Sequence, residues 1–168
     1  MEYLLLFYEF FYTKRRKSII AIVLIPVALG LIININLSEN DRYELDATEY
    51  HSSIINVLGV LIGFCVSILT VLLSADNPNI SKAKTNMTTY KLYNKQVSVF
   101  DSVLINLAYL IVMEGILLMA NFIYPIFIDV RADLGKLLFS INISITIHII
   151  LMLMRCILDF YFIVSIKK

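Results

Sequence analysis

The chain has no tryptophan, two histidines and two cysteines, and that scarcity removes several kinds of chemistry at once. His51 and His148 fall at the edge and in the middle of different apolar runs, so haem or zinc ligation by paired histidines is not expected. Cys65 and Cys156 fall in different runs at different depths, which leaves no paired framework of the secreted type. Buried, free thiols are the expected state. No metal site and no cofactor follow from these residues. The sequence also lacks a P-loop, a GxGxxG turn, an HExxH helix, a CxxC pair and any nucleophile–base pairing. It reads as a protein that is not an enzyme. A formal charge of +1 argues against nucleic acid as a direct partner, because phosphate binding needs clustered excess cation. Glycine and proline are sparse, while isoleucine, asparagine, lysine and tyrosine are abundant. That bias matches AT-rich coding, so these frequencies carry little functional weight.

What the chain has in quantity is apolar sequence. Hydrophobic residues make up 60% of it, above the ~45–50% of soluble domains, and the mean hydropathy is +0.83. Four long runs lie at about 18–37, 54–74, 102–128 and 136–158. Each suits a bilayer core of ~30 Å, which needs about 20 apolar residues as helix. The expected fold class is an all-α integral membrane protein. It would be a four-transmembrane-helix bundle with an N-terminal interfacial helix and a cytoplasmic helical segment, 75–101, between spans 2 and 3. A single membrane domain then uses all 168 residues. The first run is too long for a signal-peptide core and lacks an A-x-A site, so no cleavable signal is expected.

Charge sets the orientation. Lys14, Arg15, Arg16, Lys17, Lys82, Lys84, Lys91, Lys95, Lys167 and Lys168 flank the runs on one side. The opposite loops carry Arg42, Arg131 and Lys136 against Glu39, Asp41, Glu44, Asp46, Glu49, Asp129 and Asp133. By the positive-inside rule both termini and the middle segment face the cytoplasm.

Residues 1–12 (MEYLLLFYEFFY) are too short to span. They suit an interfacial helix with its rings at headgroup level and the basic cluster at the lipid phosphates, or a docking helix for a cytoplasmic partner. Pro26 interrupts the first run and removes one backbone hydrogen bond. Residues 38–50 read as a short acidic loop. In 75–101, Asp76-Asn77-Pro78 is a helix-start signal. Beyond it Ile80, Ala83, Met87, Tyr90, Leu92, Tyr93 and Val97 recur near helical spacing, with Lys82, Lys84, Lys91 and Lys95 between them. One or two membrane-parallel or stalk-like helices are expected, in contact with lipid or with a partner protein. Gly59, Gly63 and Ser67 recur every four residues, and Thr70 and Ser74 continue the line. Such a line supports close helix packing, within the bundle or between protomers. From 136 to 166 one helix of roughly 45 Å can run unbroken and project into the cytoplasm.

Glu114 and His148 lie near the middle of the third and fourth runs. Ionisable groups at that depth face a bundle interior, a cavity or each other. An antiparallel pair turning at about 129–133 brings Glu114 level with His148 and Asn106 level with Arg155. The expectation is a buried hydrogen-bonded pair or a polar pathway, with a purely structural pair as the alternative. Asn56, Asn106, Asn121 and Asn142 add interhelical glue.

The stretch LGVLIGFCVSILTVLLSADNPNISKAK, residues 58–84, resembles the second-span segment of small bacterial four-span membrane proteins of antiphage defence operons. The membrane subunits of Kiwa systems are the nearest of these, with the membrane accessories of type VI-B CRISPR loci beside them. The resemblance carries no catalytic residue. It implies homo-oligomerisation, a cytoplasmic protein partner, and either sensing of infection at the inner membrane or depolarisation. The leading expectation is therefore a sensor or scaffold subunit that recruits a cytoplasmic effector. The alternatives are a pore-forming or depolarising effector, and a small transporter or accessory membrane subunit.

Overall fold

Apolar runs of this length can satisfy their backbone N–H and C=O groups only within the run, and the result is helix. The computed structural model describes residues 2–13, 16–37, 43–75, 77–127 and 133–165. In chain order these form α1 (Glu2–Tyr12), α2 (Arg16–Leu37), α3 (Tyr43–Ser74), α4 (Pro78–Thr85), β1 (Met87–Leu92), β2 (Lys95–Ser98), α5 (Val99–Phe127) and α6 (Asp133–Ser165). Among the described residues four helices are long and apolar enough to cross a membrane, over Ile19–Asn36, Glu49–Ser74, Val99–Ile123 and Leu134–Ser165. Predominantly helical structure with four such elements agrees with a multi-pass membrane protein.

The long helices form a row in the order α2, α6, α5, α3, in which each packs mainly on its neighbours. The inner two supply much of the core, with Leu107, Leu110 and Leu117 from α5 and Ile149 and Met152 from α6. Leu58, Cys65 and Leu72 of α3 close it on one side. On the other side α2 contributes a narrow stripe, Ile22, Pro26 and Gly30, each four residues from the next. At Gly30 an added Cβ would collide with Ser144 Oγ and come within 3.0 Å of the Ser140 carbonyl oxygen. Ser140 and Ser144 turn their hydroxyls onto their own helix, at 3.0 Å from the Lys136 carbonyl and 2.9 Å from that of Ser140. Small residues thus meet small residues, and the two backbones close up.

One expectation about boundaries needs correction. α3 begins at Tyr43, so much of the stretch read as an acidic loop is helix. α6, as expected, is one unbroken helix, and its 33 residues reach about 50 Å at 1.5 Å per residue.

The segment 75–101 departs further from the helix expected there. Its first part follows the reading: Asn77 Oδ1 accepts from the Asn79 N–H at 2.9 Å, Pro78 occupies the first turn, and Ile80 and Ala83 are buried. Asn79 Nδ2 also donates to the Val164 carbonyl at 2.8 Å, which ties α4 to the end of α6. After Thr85 the chain becomes an antiparallel hairpin, with Lys91 opposite Gln96 and Leu92 opposite Lys95. Burial along β1 alternates with a period of two. Tyr93 and Asn94 take φ of 48° and 63°, as in the two-residue turns that match strand twist. A right-handed helix cannot pass through two consecutive left-handed residues. The apolar positions in this stretch fit both periods, and the turn decides between them. Ser98 then ends the hairpin and starts α5: its hydroxyl accepts from the Asp101 N–H at 3.0 Å, and Asp101 Oδ2 accepts the Ser98 N–H at 3.3 Å.

Gly30→Ala should lower stability by about 1–3 kcal/mol through overpacking of α2 on α6. Gly115→Ala, whose new Cβ meets nothing within 4 Å, should not. Thermal unfolding in one detergent compares the two, and equal midpoints would refute the close approach at Gly30.

Candidate functional site

Polar groups inside apolar helices must find one another, and here they do so at three levels of the row. The first level lies in the half that carries α1, α4 and the hairpin. Pro26 has no N–H, so the carbonyl of Ile22, four residues earlier, loses its helical partner. His148 Nδ1 fills that place at 3.0 Å. A carbonyl only accepts, so Nδ1 must carry a proton. In the neutral imidazole Nε2 is then an acceptor, and the Tyr109 hydroxyl, 2.9 Å away, donates to it. The Tyr109 ring lies flat on Phe10, with centroids 3.7 Å apart and planes within 4°. Phe7 meets the same ring edge-on at 5.3 Å. One side chain, His148, thereby links α2, α5 and α6, and α1 is held through Tyr109.

The middle level contains Glu114, which is fully buried. Cys65 Sγ of α3 donates to its Oε1 at 3.6 Å, and Oε2 has no hydrogen-bond partner among the described residues. Cys156 is also buried, and both thiols are free, as expected of them.

The third level lies toward the opposite end. Asn142 Nδ2 donates to Asn121 Oδ1 at 3.1 Å, and Asn121 Nδ2 returns a longer bond at 3.4 Å. His51 Nδ1 reaches the same Asn121 oxygen at 2.6 Å. The Tyr50 hydroxyl lies 2.7 Å from Thr146 Oγ1 and donates to Asn142 Oδ1 at 3.2 Å. Phe139 packs edge-on against both the Tyr50 and His51 rings. Along α5 the buried Leu110 and Leu117 fall between the three levels.

These positions revise the reading of the sequence. Glu114 and His148 do not bond to each other: Glu114 turns toward α3, and both ring nitrogens of His148 are taken by Ile22 and Tyr109. Matching depth does not imply matching direction around the helix. Asn106 is buried on α5, and Arg155 is half-buried on α6. Phe10 of α1 is packed against the core. Gly59, Gly63 and Ser67 lie on the exposed side of α3, where an added Cβ at either glycine meets nothing within 4 Å. Among the described residues they do not serve packing within the chain. Lys82, Lys84, Lys91 and Lys95 are exposed, with Lys84 Nζ 4.9 Å from the Phe100 ring centre. Lys14 and Arg15 lie outside the described residues, as do the side chains of Arg16 and Lys17.

Tyr109, Tyr50, Thr146 and the thiol of Cys65 were not anticipated as partners. One signal was available: a proline inside an apolar run implies a carbonyl four residues earlier that needs a donor. Among the described residues no three His, Cys, Asp or Glu side chains gather into a metal-binding group. Chemically, the seam holds helices at a set rotation and depth.

His148→Ala should destabilise the fold by about 1–3 kcal/mol, because it strands a buried carbonyl and a hydroxyl. Pro26→Ala returns an N–H to the Ile22 carbonyl. In that background the cost of His148→Ala should fall by about 1 kcal/mol, within the usual range of coupling for direct contacts. A double-mutant cycle of thermal stabilities measures this, and a coupling of zero would remove His148 from the role.

A scan against protein-family models finds none that matches the chain, and searches of curated proteins and of solved structures find no match. Function must be argued from the geometry.

Proposed function

We propose that the chain is a non-enzymatic, multi-pass scaffold or sensor subunit of a bacterial inner membrane. It assembles with copies of itself and offers its cytoplasmic end to a protein partner. The observation that carries this reading is the outward face of α3. Ser52, Asn56, Gly59, Gly63, Ser67, Thr70 and Ser74 recur every three or four residues, and all are exposed. The hydroxyls of Ser67, Thr70 and Ser74 bond back to the carbonyls of Gly63, Val66 and Thr70 at 2.7–2.8 Å. What remains is a smooth, narrow groove with an amide, Asn56, beside it. Facing lipid, such a groove gains nothing; facing a second α3, it permits close backbone contact and an interhelical amide bond.

The positive-inside rule puts α1, α4 and the hairpin on the cytoplasmic side. Exposed Lys82, Lys84, Lys91 and Lys95 give that end a basic surface for an acidic partner or for lipid. A role in antiphage defence is supported by the resemblance of residues 58–84 alone. A conducting pore is less well supported, because Glu114, Asn121, Asn142 and His148 are buried within a single protomer.

Gly63→Leu tests the assembly. The new side chain enters open space in the protomer, so folding should be unaffected while a helix–helix contact is blocked. Light scattering in mild detergent should give the wild type a mass that is a multiple of 19.3 kDa and the variant a lower one. A monomeric wild type, or an unchanged mass in the variant, would overturn the proposal.

A further inference from the structure

A cleft of about 320 Å³ opens between α1 and the hairpin tip, lined by Tyr8, Tyr12, Lys91, Leu92, Tyr93 and Asn94. Its lining differs from that of the grooves beside α6, which are walled largely by aliphatic side chains such as Leu31, Leu138, Ile141 and Ile145. Here the lining residues are three tyrosines, an asparagine, a lysine and a leucine, with no carboxylate among them. Glu9 lies between Tyr8 and Tyr12 in sequence, is half-buried, and does not line the cleft.

Both walls are held in place. Tyr8 and Tyr12 are one helical turn apart with their rings stacked at 5.6 Å, and their helix is fixed by Phe10 against Tyr109. The other wall is the turn at Tyr93 and Asn94, whose positive φ values set the direction of the tip. Lys95, exposed on the same hairpin, adds to the positive potential. A preformed, hydrogen-bonding, cationic cleft selects an anion with several acceptor oxygens, and a phosphate fits that description. α1 also exposes Leu5 and Phe11, apolar side chains on the element that forms one wall. A ligand with a phosphate at one end and hydrocarbon at the other would satisfy both features.

We propose that this cleft seats the phosphate-bearing headgroup of an anionic phospholipid, with its acyl chains beside α1. Lys91 pairs with the phosphodiester, and the tyrosine hydroxyls and the Asn94 amide donate to its oxygens. The inference rests on the membrane reading above, with the hairpin end at the anionic cytoplasmic leaflet.

The test uses the full chain in phosphatidylcholine vesicles containing trace spin-labelled phosphatidylglycerol or spin-labelled phosphatidylcholine. The motionally restricted fraction of each lipid is measured by electron paramagnetic resonance. Wild type should favour phosphatidylglycerol, and Lys91→Gln should cut that preference about fivefold, the effect of one lysine at an anionic surface. Tyr93→Phe, which keeps the ring and removes one donor, should cut it by a smaller factor. No preference in the wild type, or full preference in Lys91→Gln, would refute the site. Inorganic phosphate titrated into neutral vesicles separates the sources. Saturable phosphate binding lost in Lys91→Gln, without any preference among the lipids, would assign the cleft to a soluble phosphate and overturn the lipid assignment. Lys91 and Tyr93 are exposed and belong to the hairpin rather than to the α3 line, so assembly mass in the same samples reports on the scaffold reading independently.

Discussion

The arrangement of three of the four long helices depends on one carbonyl group. Pro26 frees the oxygen of Ile22 within an apolar helix, where an unsatisfied backbone group costs several kcal/mol. His148 supplies the missing proton, and this one bond has consequences in three directions. It selects the tautomer of the imidazole, so Tyr109 must be the donor on the far side. It sets the rotation of α2 on α6, which brings Gly30 against Ser140 and Ser144. It holds the Tyr109 ring where Phe10 can stack on it, which keeps α1 on the bundle. The proline thereby acts less as a break than as a socket.

A row of helices with α5 and α6 inside has two unlike margins. On one, α2 buries only a narrow stripe. On the other, α3 buries Leu58, Cys65 and Leu72 and turns its small and polar residues outward. The ionisable groups at mid-depth are enclosed within the protomer, whereas the residues suited to meeting another helix are not. The hairpin end is different again, because it combines exposed lysines with a cleft walled by α1. Packing thus separates a self-contained polar seam from two outward surfaces, one lateral and one terminal, and the proposals for assembly and for lipid recognition use one surface each.

Some of this was legible in the residues. The four long apolar helices and the α4 cap at Asn77-Pro78 follow from run lengths and from one local hydrogen bond, and α1 follows as a short apolar segment. The hairpin was missed because Ile80, Ala83, Met87, Tyr90 and Val97 satisfy a helical period as well, and the left-handed Tyr93-Asn94 pair carries no glycine to announce it. Glu114 and His148 were placed at similar depth by counting residues, which is sound for rigid helices of fixed rise. Their pairing failed because counting says nothing about direction: one faces α3 and the other faces α2 and Tyr109.

The division has a physical basis. Length in an apolar run translates directly into span, because every backbone bond closes within the helix and each residue adds the same rise. The sequence by itself therefore determined how many long helices there are, how far they reach, and the depth of each polar group along them. It did not determine which side of each helix is buried. These helices are apolar nearly all round, so no single stripe marks the inward face as it does in a soluble amphipathic helix. That choice belongs to tertiary contacts: the Ile22 carbonyl calling for His148, Gly30 admitting Ser144, and Asn121 meeting Asn142. Only once those were made did the line of Gly59, Gly63 and Ser67 become an outward surface and the tip of a hairpin become a wall of a cleft.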